Sequence, residues 1–144
     1  MLIGRALAYA ALFAASFLAA TVLPLSSELA LAALVRSERR LAAPILVATA
    51  GNYAGACTTY WLGRRAGRAL QRRGVSASQQ RAARLIRRYG PPALLLSWVP
   101  LLGDALVALA GSLEIPFGVF SGWTLAGKAL RYLAVAWAAA ALLT

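Results

Sequence analysis

The sequence predicts an all-α integral membrane protein of two inverted repeat units, each a proline-broken re-entrant helical hairpin followed by a transmembrane helix. Three observations predict it. Apolar residues make up 61% of the 144 residues and charged residues only 13%, against about 25% charged in an ordinary soluble domain. The apolar residues come in long runs: Ala6 to Ser27, Leu41 to Gly63, Tyr89 to Gly103 and Ile115 to Gly127. A proline-plus-acid break also occurs twice, in Leu23-Pro24-Leu25-Ser26-Ser27-Glu28 and in Val99-Pro100-Leu101-Leu102-Gly103-Asp104. A gapless shift of 76 residues lays Pro24 on Pro100, Glu28 on Asp104, Glu38 on Glu114, Gly51 on Gly127 and Trp61 on Trp137. Ala and Leu matches count for little in so Ala- and Leu-rich a chain, but Pro, Trp and acidic residues are scarce. A carboxylate four residues after a proline, inside apolar sequence, points to a transport site rather than a soluble core.

The first broken segment runs from Ala6 to Val35, which as one straight helix would be about 45 Å, too long for a simple crossing. Pro24 removes a backbone donor and disfavours helix at Leu23, so the break is expected between Leu23 and Ser27. Ser26 is a candidate N-cap for a shorter helix that carries Glu28 in its first turn. Leu41 to Gly63 follows, 23 residues without a charge, enough to cross a hydrocarbon core of ~30 Å.

Next comes a basic connector. The net charge is +11, and nine of the fifteen basic residues lie between Arg64 and Arg88. With apolar segments on both sides, such a run argues for a cytoplasmic loop held at anionic lipid headgroups rather than for nucleic acid. Gly74-Val75-Ser76-Ala77-Ser78 reads as a turn with an N-cap candidate. It leads into Gln79 to Tyr89, where Arg81, Arg84 and Arg88 share one face of a short interfacial helix. Gly90-Pro91 ends that helix. The second unit then repeats the first: Pro91 to Gly111 breaks at Pro100, Gly103 supplies backbone freedom before Asp104, and Pro116 to Leu143 forms the last helix. The chain is one membrane domain, residues 1–144, with repeat units at about 6–63 and 91–143 around the connector 64–90.

Two topologies fit. Four simple spans would put Arg64 to Arg88 inside and the residues near Glu38 and Glu114 outside. Alternatively each broken segment enters and leaves on the same face, which places Arg5 and Arg36 to Arg40 outside and the Glu114 turn inside. The second is preferred, because irregular backbone at membrane depth survives only where it lines a cavity or is covered by protein. The stretch after Arg5 exceeds a signal-peptide core and similar segments follow it, so an uncleaved membrane segment is expected. There is no His and only one Cys, Cys57. That excludes three-His zinc sites, His-based triads, intrachain disulfides and a structural zinc site. No nucleophile–base pair or metal set is present, so neither an enzyme nor a cofactor is expected.

Glu28 and Asp104 head the candidate residues. Ionised carboxylates are costly in a bilayer unless paired or hydrated. They are read as binding and releasing a proton or holding a cationic group; capping their own half-helices, or pairing with Arg or Lys, is the structural alternative. Lys128 and Arg131 interrupt the last helix about one turn apart and should face the protein interior. Asn52 stands 24 residues after Glu28, as Lys128 does after Asp104. These residues are expected to form a polar centre at the junction of the repeats, an internal salt bridge from Asp104 to Lys128 or Arg131 being the alternative. The G-x-x-x-G pairs Gly51/Gly55 and Gly63/Gly67 permit close helix approach. Trp61, Trp98, Trp123 and Trp137 read as interface anchors or packing residues, with Trp98 and Trp123 near enough to the polar centre to line a cavity.

At these residues the chain resembles the DedA superfamily of membrane proteins (the SNARE-associated or VTT-domain group), and most of all its small YqaA-type branch. Pro24 to Glu28 is similar to the family's proline-to-glutamate re-entrant motif. Gly51 to Gly67, GNYAGACTTYWLGRRAG, is similar to its G-x-x-x-G-[D]-x-x-x-Y-x-x-G-R-x-x-G pattern, and Ser97 to Gly111 and Gly127 to Tyr132 resemble the YqaA branch. Three positions depart: Ala56 where most members carry Asp, and Ser97 and Gly103 where they carry Arg. The family's proton and substrate residues therefore transfer only at Glu28, and Asp104, Lys128 and Arg131 are read as replacing the lost acid and bases. The resemblance implies two re-entrant hairpins, an inverted repeat and transport in the bacterial inner membrane. The expected activity is flipping or scrambling of a phospholipid or undecaprenyl phosphate, with proton coupling as an accompanying option. A proton-coupled transporter of a small ion or solute is the alternative, and a non-transport membrane scaffold that recruits a partner through Arg64 to Arg88 is a second. Membrane lipids and protons are the expected partners, nucleic acid is not, and self-association stays open.

Overall fold

The computed structural model describes residues 2–20, 31, 33–34, 42–70 and 76–141, and every regular element among them is helical. They are α1 (Leu2–Ala19), α2 (Ala42–Leu70), α3 (Ala77–Tyr89), a 3-10 helix (Pro91–Trp98), α4 (Leu102–Ser112) and α5 (Phe117–Ala141). Pro24, Ser26 and Glu28 lie outside the described residues, and so does the break expected there.

The chain divides into two compact units, residues 1–55 with 129–144, and residues 56–128. The first contains α1, the first half of α2 and the second half of α5. Its core is Leu12, Leu31, Ala48, Tyr132 and Ala136, flanked by Ile45, Val47 and Val135. Glycine sets the α1–α2 spacing: a Cβ at Gly51 would lie 2.5 Å from the Phe13 carbonyl oxygen, and one at Gly55 the same distance from that of Phe17. Close backbone approach of this kind is what small residues four apart permit.

The second unit holds the remainder of α2, then α3, the 3-10 helix, α4 and the first half of α5. Its core joins Tyr60, Ala82, Ile86, Leu94, Leu106, Val107 and Phe120. The Tyr60 ring stacks on Phe120 at 4.4 Å between centroids, and its hydroxyl donates to the Ile115 carbonyl at 2.6 Å. Gly63 and Gly67 meet the α4 backbone at Ala108 and Ser112, and Gly111 meets the α2 backbone at Tyr60. The start of α3 follows from its sequence. Ser76 caps it with a full capping box, its Oγ accepting from Gln79 N while Gln79 Oε1 accepts from Ser76 N, so the helix begins two residues before Gln79. Gly90, at φ 68°, closes it.

Three expectations change. Leu41 to Gly63 is not an isolated apolar span: α2 runs on through Arg64 and Arg65 to Leu70, and Asn52, Tyr53, Thr58, Thr59 and Tyr60 dilute its middle. Among the described residues no helix is long and apolar enough to cross a membrane. The basic helix α3 is not a freely lying interfacial helix, because Ala82 and Ile86 are buried and it packs on both the 3-10 helix and α4. Nor does Gly103 supply the backbone freedom at the second break. It sits inside the first turn of α4, and the left-handed conformation falls on Leu101, φ 64°. What Gly103 provides is room, since a Cβ there would collide with the Ser97 carbonyl.

Among the described residues large apolar side chains are exposed and several polar ones are buried. Ile3, Leu7, Leu46, Leu62, Leu101, Leu130 and Trp137 are all well exposed, whereas Ser16, Asn52, Ser97, Thr124 and Lys128 are buried. Extended apolar exposure marks a surface meant for an apolar partner.

Candidate functional site

Each unit encloses its own polar centre. In the second unit Lys128 is only 3% exposed, and Thr124, one turn earlier on the same side of α5, is fully buried. A Cβ at Gly127 would lie 2.5 Å from the Leu95 carbonyl oxygen, so the 3-10 helix runs directly against this turn of α5. Ser97, in the last turn of the 3-10 helix, is buried, and its backbone packs on Gly103. Asp104, half buried, comes next in the opening turn of α4. The 3-10 helix thus lies against α5 at Gly127 and against α4 at Gly103, and these three elements carry an ammonium (Lys128), a carboxylate (Asp104) and two hydroxyls (Ser97 and Thr124). Ser97 Oγ and Thr124 Oγ1 have no hydrogen-bond partner among the described residues. Leaving such a group unsatisfied costs about 1–3 kcal/mol, which marks a place where a polar ligand gains. The N-terminus of α4 has no side-chain cap; its Leu102 and Gly103 amides donate instead to the Pro100 and Val99 carbonyls, and the positive end of the helix dipole favours an anion there.

The first unit's centre is neutral at its heart. Asn52, 1% exposed, donates from Nδ2 to the Tyr132 hydroxyl at 2.9 Å. Its Oδ1 is unpartnered among the described residues, as are the buried hydroxyls of Ser16 and Thr49. Ser16 is adjacent: a Cβ at Gly51 would stand 3.1 Å from its own. Arg131 is half buried, with its guanidinium 5.9 Å from the centre of the Tyr132 ring.

The candidate residues therefore separate. Asp104 and Lys128 belong to the second unit, Asn52 and Arg131 to the first, although Lys128 and Arg131 share α5. Lys128 faces inward as its position in an apolar helix requires; Arg131 does so only in part. All four Trp are exposed to some degree, Trp137 most. Thr124, Thr49, Ser16 and Tyr132 were not legible as site residues. Helical spacing signals two of them, since Thr124 stands four residues before Lys128 and Thr49 three before Asn52. Nothing in the sequence singles out Ser16.

Comparison with known proteins places this architecture. The VTT domain matches residues 1–141. The chain is 43% identical to inner membrane protein YqaA of Escherichia coli (strain K12) over 135 residues, 92% of this chain and 91% of that protein. The same figures hold for inner membrane protein YqaA of Shigella flexneri. An uncharacterized protein of Haemophilus influenzae is 40% identical over 134 residues, 86% of this chain and 82% of that one. No solved structure matches. The chain belongs to the VTT-domain (DedA) family and is a protein of the bacterial inner membrane.

Proposed function

We propose that this VTT-domain protein translocates a phosphate-bearing lipid, a phospholipid or undecaprenyl phosphate, across the inner membrane. The observation that carries it is the buried set Ser97, Thr124 and Lys128, two unpartnered hydroxyls and an ammonium inside a chain that exposes many large apolar side chains. A phosphate group matches that donor set. Its oxygens accept from Lys128 Nζ and from the two hydroxyls, a charge-assisted arrangement worth more than neutral hydrogen bonds. Asp104 balances the ammonium when the headgroup is absent. Arg131 and Asn52 give the first unit a polar station of its own. Acyl or prenyl chains stay in the bilayer against exposed Leu and Trp. Glu28 and Asp104 carry protons when movement is coupled to a gradient.

The composition of the units supports an inverted repeat with re-entrant hairpins. Each unit takes one broken segment, the first half of that repeat's own long helix and the second half of the other's. Exchanging the repeats exchanges the units. Asn52 and Lys128, equivalent under the 76-residue shift, each occupy the buried polar centre of their own unit.

The test is movement of labelled lipids in liposomes containing the purified protein, with and without a pH gradient. Lys128→Ala is expected to slow movement by about 10- to 100-fold, the value of a hydrogen bond to a charged group, with Glu28→Ala and Arg131→Ala also strongly impaired. Unimpaired lipid movement in folded Lys128→Ala protein overturns the proposal. Solute flux without lipid movement moves the assignment to a small-solute transporter.

A further inference from the structure

Helix α3 carries a feature that translocation leaves unused. Its inward side is spent on protein: Ala82 and Ile86 are buried, Leu85 packs beside them, and the helix docks on the 3-10 segment and α4. An amphipathic helix lying in a bilayer keeps that apolar side for acyl chains. This one presents only its polar side outward. There Gln80, Ala83, Arg84 and Arg87 line a groove of about 480 Å3. Spacings of three and four residues stack them on one face. Ala83 leaves the floor low, while two guanidinium groups and a side-chain amide, all exposed, rise around it. Arg84 also borders the face of Arg81 and Arg88, from which Gln80, Ala83 and Arg87 are turned away. No carboxylate occurs between Glu38 and Asp104, so no acid along this stretch of chain neutralises the groove.

We propose that the groove is a binding site for a phosphate ester, supplied by the headgroup of an anionic membrane lipid, separate from the polar centres of the two units. Guanidinium groups one turn apart offer planar, paired donors to phosphate oxygens, which a point charge does not reproduce. Gln80 adds an amide donor on the same face. Two further observations favour a lipid over a free anion. Tyr89, at the end of α3, is exposed with the Arg88 guanidinium 5.3 Å from its ring centre, and Trp98 beyond it is exposed as well. Exposed Tyr and Trp beside Arg belong at headgroup depth. None of these residues takes part in the translocation chemistry, so failure of either proposal leaves the other standing.

The experiment measures binding of short-chain phosphatidylglycerol, short-chain phosphatidylcholine and inorganic phosphate to the full-length detergent-solubilised protein by calorimetry. Phosphatidylglycerol is expected to bind, and Arg84→Gln with Arg87→Gln to weaken it by about tenfold or more. Arg81→Gln with Arg88→Gln removes the same charge from the flank of the same helix and is expected to cost less than about threefold, the rest being screened surface charge. Arg84→Lys with Arg87→Lys is expected to fall between. All these side chains are exposed, and circular dichroism checks that each variant is folded. Equal losses in both glutamine pairs would reduce the groove to diffuse charge and overturn the site. Full affinity in the lysine pair would overturn the paired-donor geometry. Equally tight phosphatidylcholine, or inorganic phosphate binding with the same Arg84 and Arg87 dependence, would overturn the anionic-lipid assignment.

Discussion

The 76-residue shift lays Leu2–Ala19 on Ser78 to Leu95, and the two stretches fold differently. Leu2–Ala19 is one continuous helix, while the equivalent Ser78 to Leu95 is divided at Gly90 into the end of α3 and most of a 3-10 helix. The cause is local. Gly90-Pro91-Pro92 stands where repeat one has Ala14-Ala15-Ser16, and two prolines remove two helical donors where alanine would continue the helix. Burial follows: Leu12 lies in the first unit's core, and its equivalent Arg88 is exposed. Gly51 packs on Phe13 and its equivalent Gly127 on Leu95, six residues further along the stretch. A close glycine contact thus occurs at both shifted positions while the flanking stretches differ, and the same shift pairs Asn52 with Lys128. At this one pair the second unit buries an ammonium where the first buries an amide.

Exchanging those two residues is the most direct way to break the comparison. Asn52→Lys would place an ammonium at a position 1% exposed beside Tyr132, and an uncompensated buried charge is expected to cost about 3–5 kcal/mol. Lys128→Asn leaves a neutral amide in the second unit and is expected to keep the fold while lipid movement collapses. Thermal unfolding reads the first outcome and liposome assays the second. An Asn52→Lys protein as stable as the wild type would mean that the two centres are interchangeable.

Much of this asymmetry was visible in the sequence, and the reason is that its cues are local. The N-cap candidate in Gly74 to Ser78, the Gly90-Pro91 stop and the interruption before Asp104 depend on residues within a turn of each other. The 76-residue shift paired Asn52 with Lys128 from chemistry alone. What escaped depends on neighbours distant in the chain. The left-handed Leu101 carries a conformation that no leucine announces. The unpartnered hydroxyls of Ser16, Ser97 and Thr124 become notable only once packing has excluded water from them. That α2 and α5 each contribute one half to either unit follows from tertiary contacts, which no periodicity encodes.

The shared glycine contact gives a second, smaller test. A Cβ at Gly51 or Gly127 would meet backbone carbonyl oxygen at 2.5 Å in either case, so neither neighbour yields by rotating a side chain. Gly51→Val and Gly127→Val are each expected to lower stability by about 1–3 kcal/mol, the usual cost of overpacking. Gly127→Val should also impair lipid movement, because its neighbours Lys128 and Thr124 sit on the turn that would be displaced. Gly51→Val should weaken the first unit and leave the second centre in place. Equal functional damage from both would erase the distinction between the buried ammonium and the buried amide.

The smallest expected effect falls on the divided stretch itself. Cutting the stretch leaves α3 with 13 residues, a length at which an isolated helix is marginal in water. Two things hold it: docking through Ala82 and Ile86, and the reciprocal capping box at Ser76. Ser76→Ala removes the acceptor for the Gln79 amide and is expected to cost about 1 kcal/mol. Docking acts at the sixth residue and beyond, so it does not protect the first turn. Hydrogen exchange should therefore accelerate at residues 77–80, leaving residues 82–89 and all of α1 unchanged. Exchange that rises uniformly through α3 would instead show the cap supporting the docked face, and the divided stretch would then depend on its start signal as the continuous one does not.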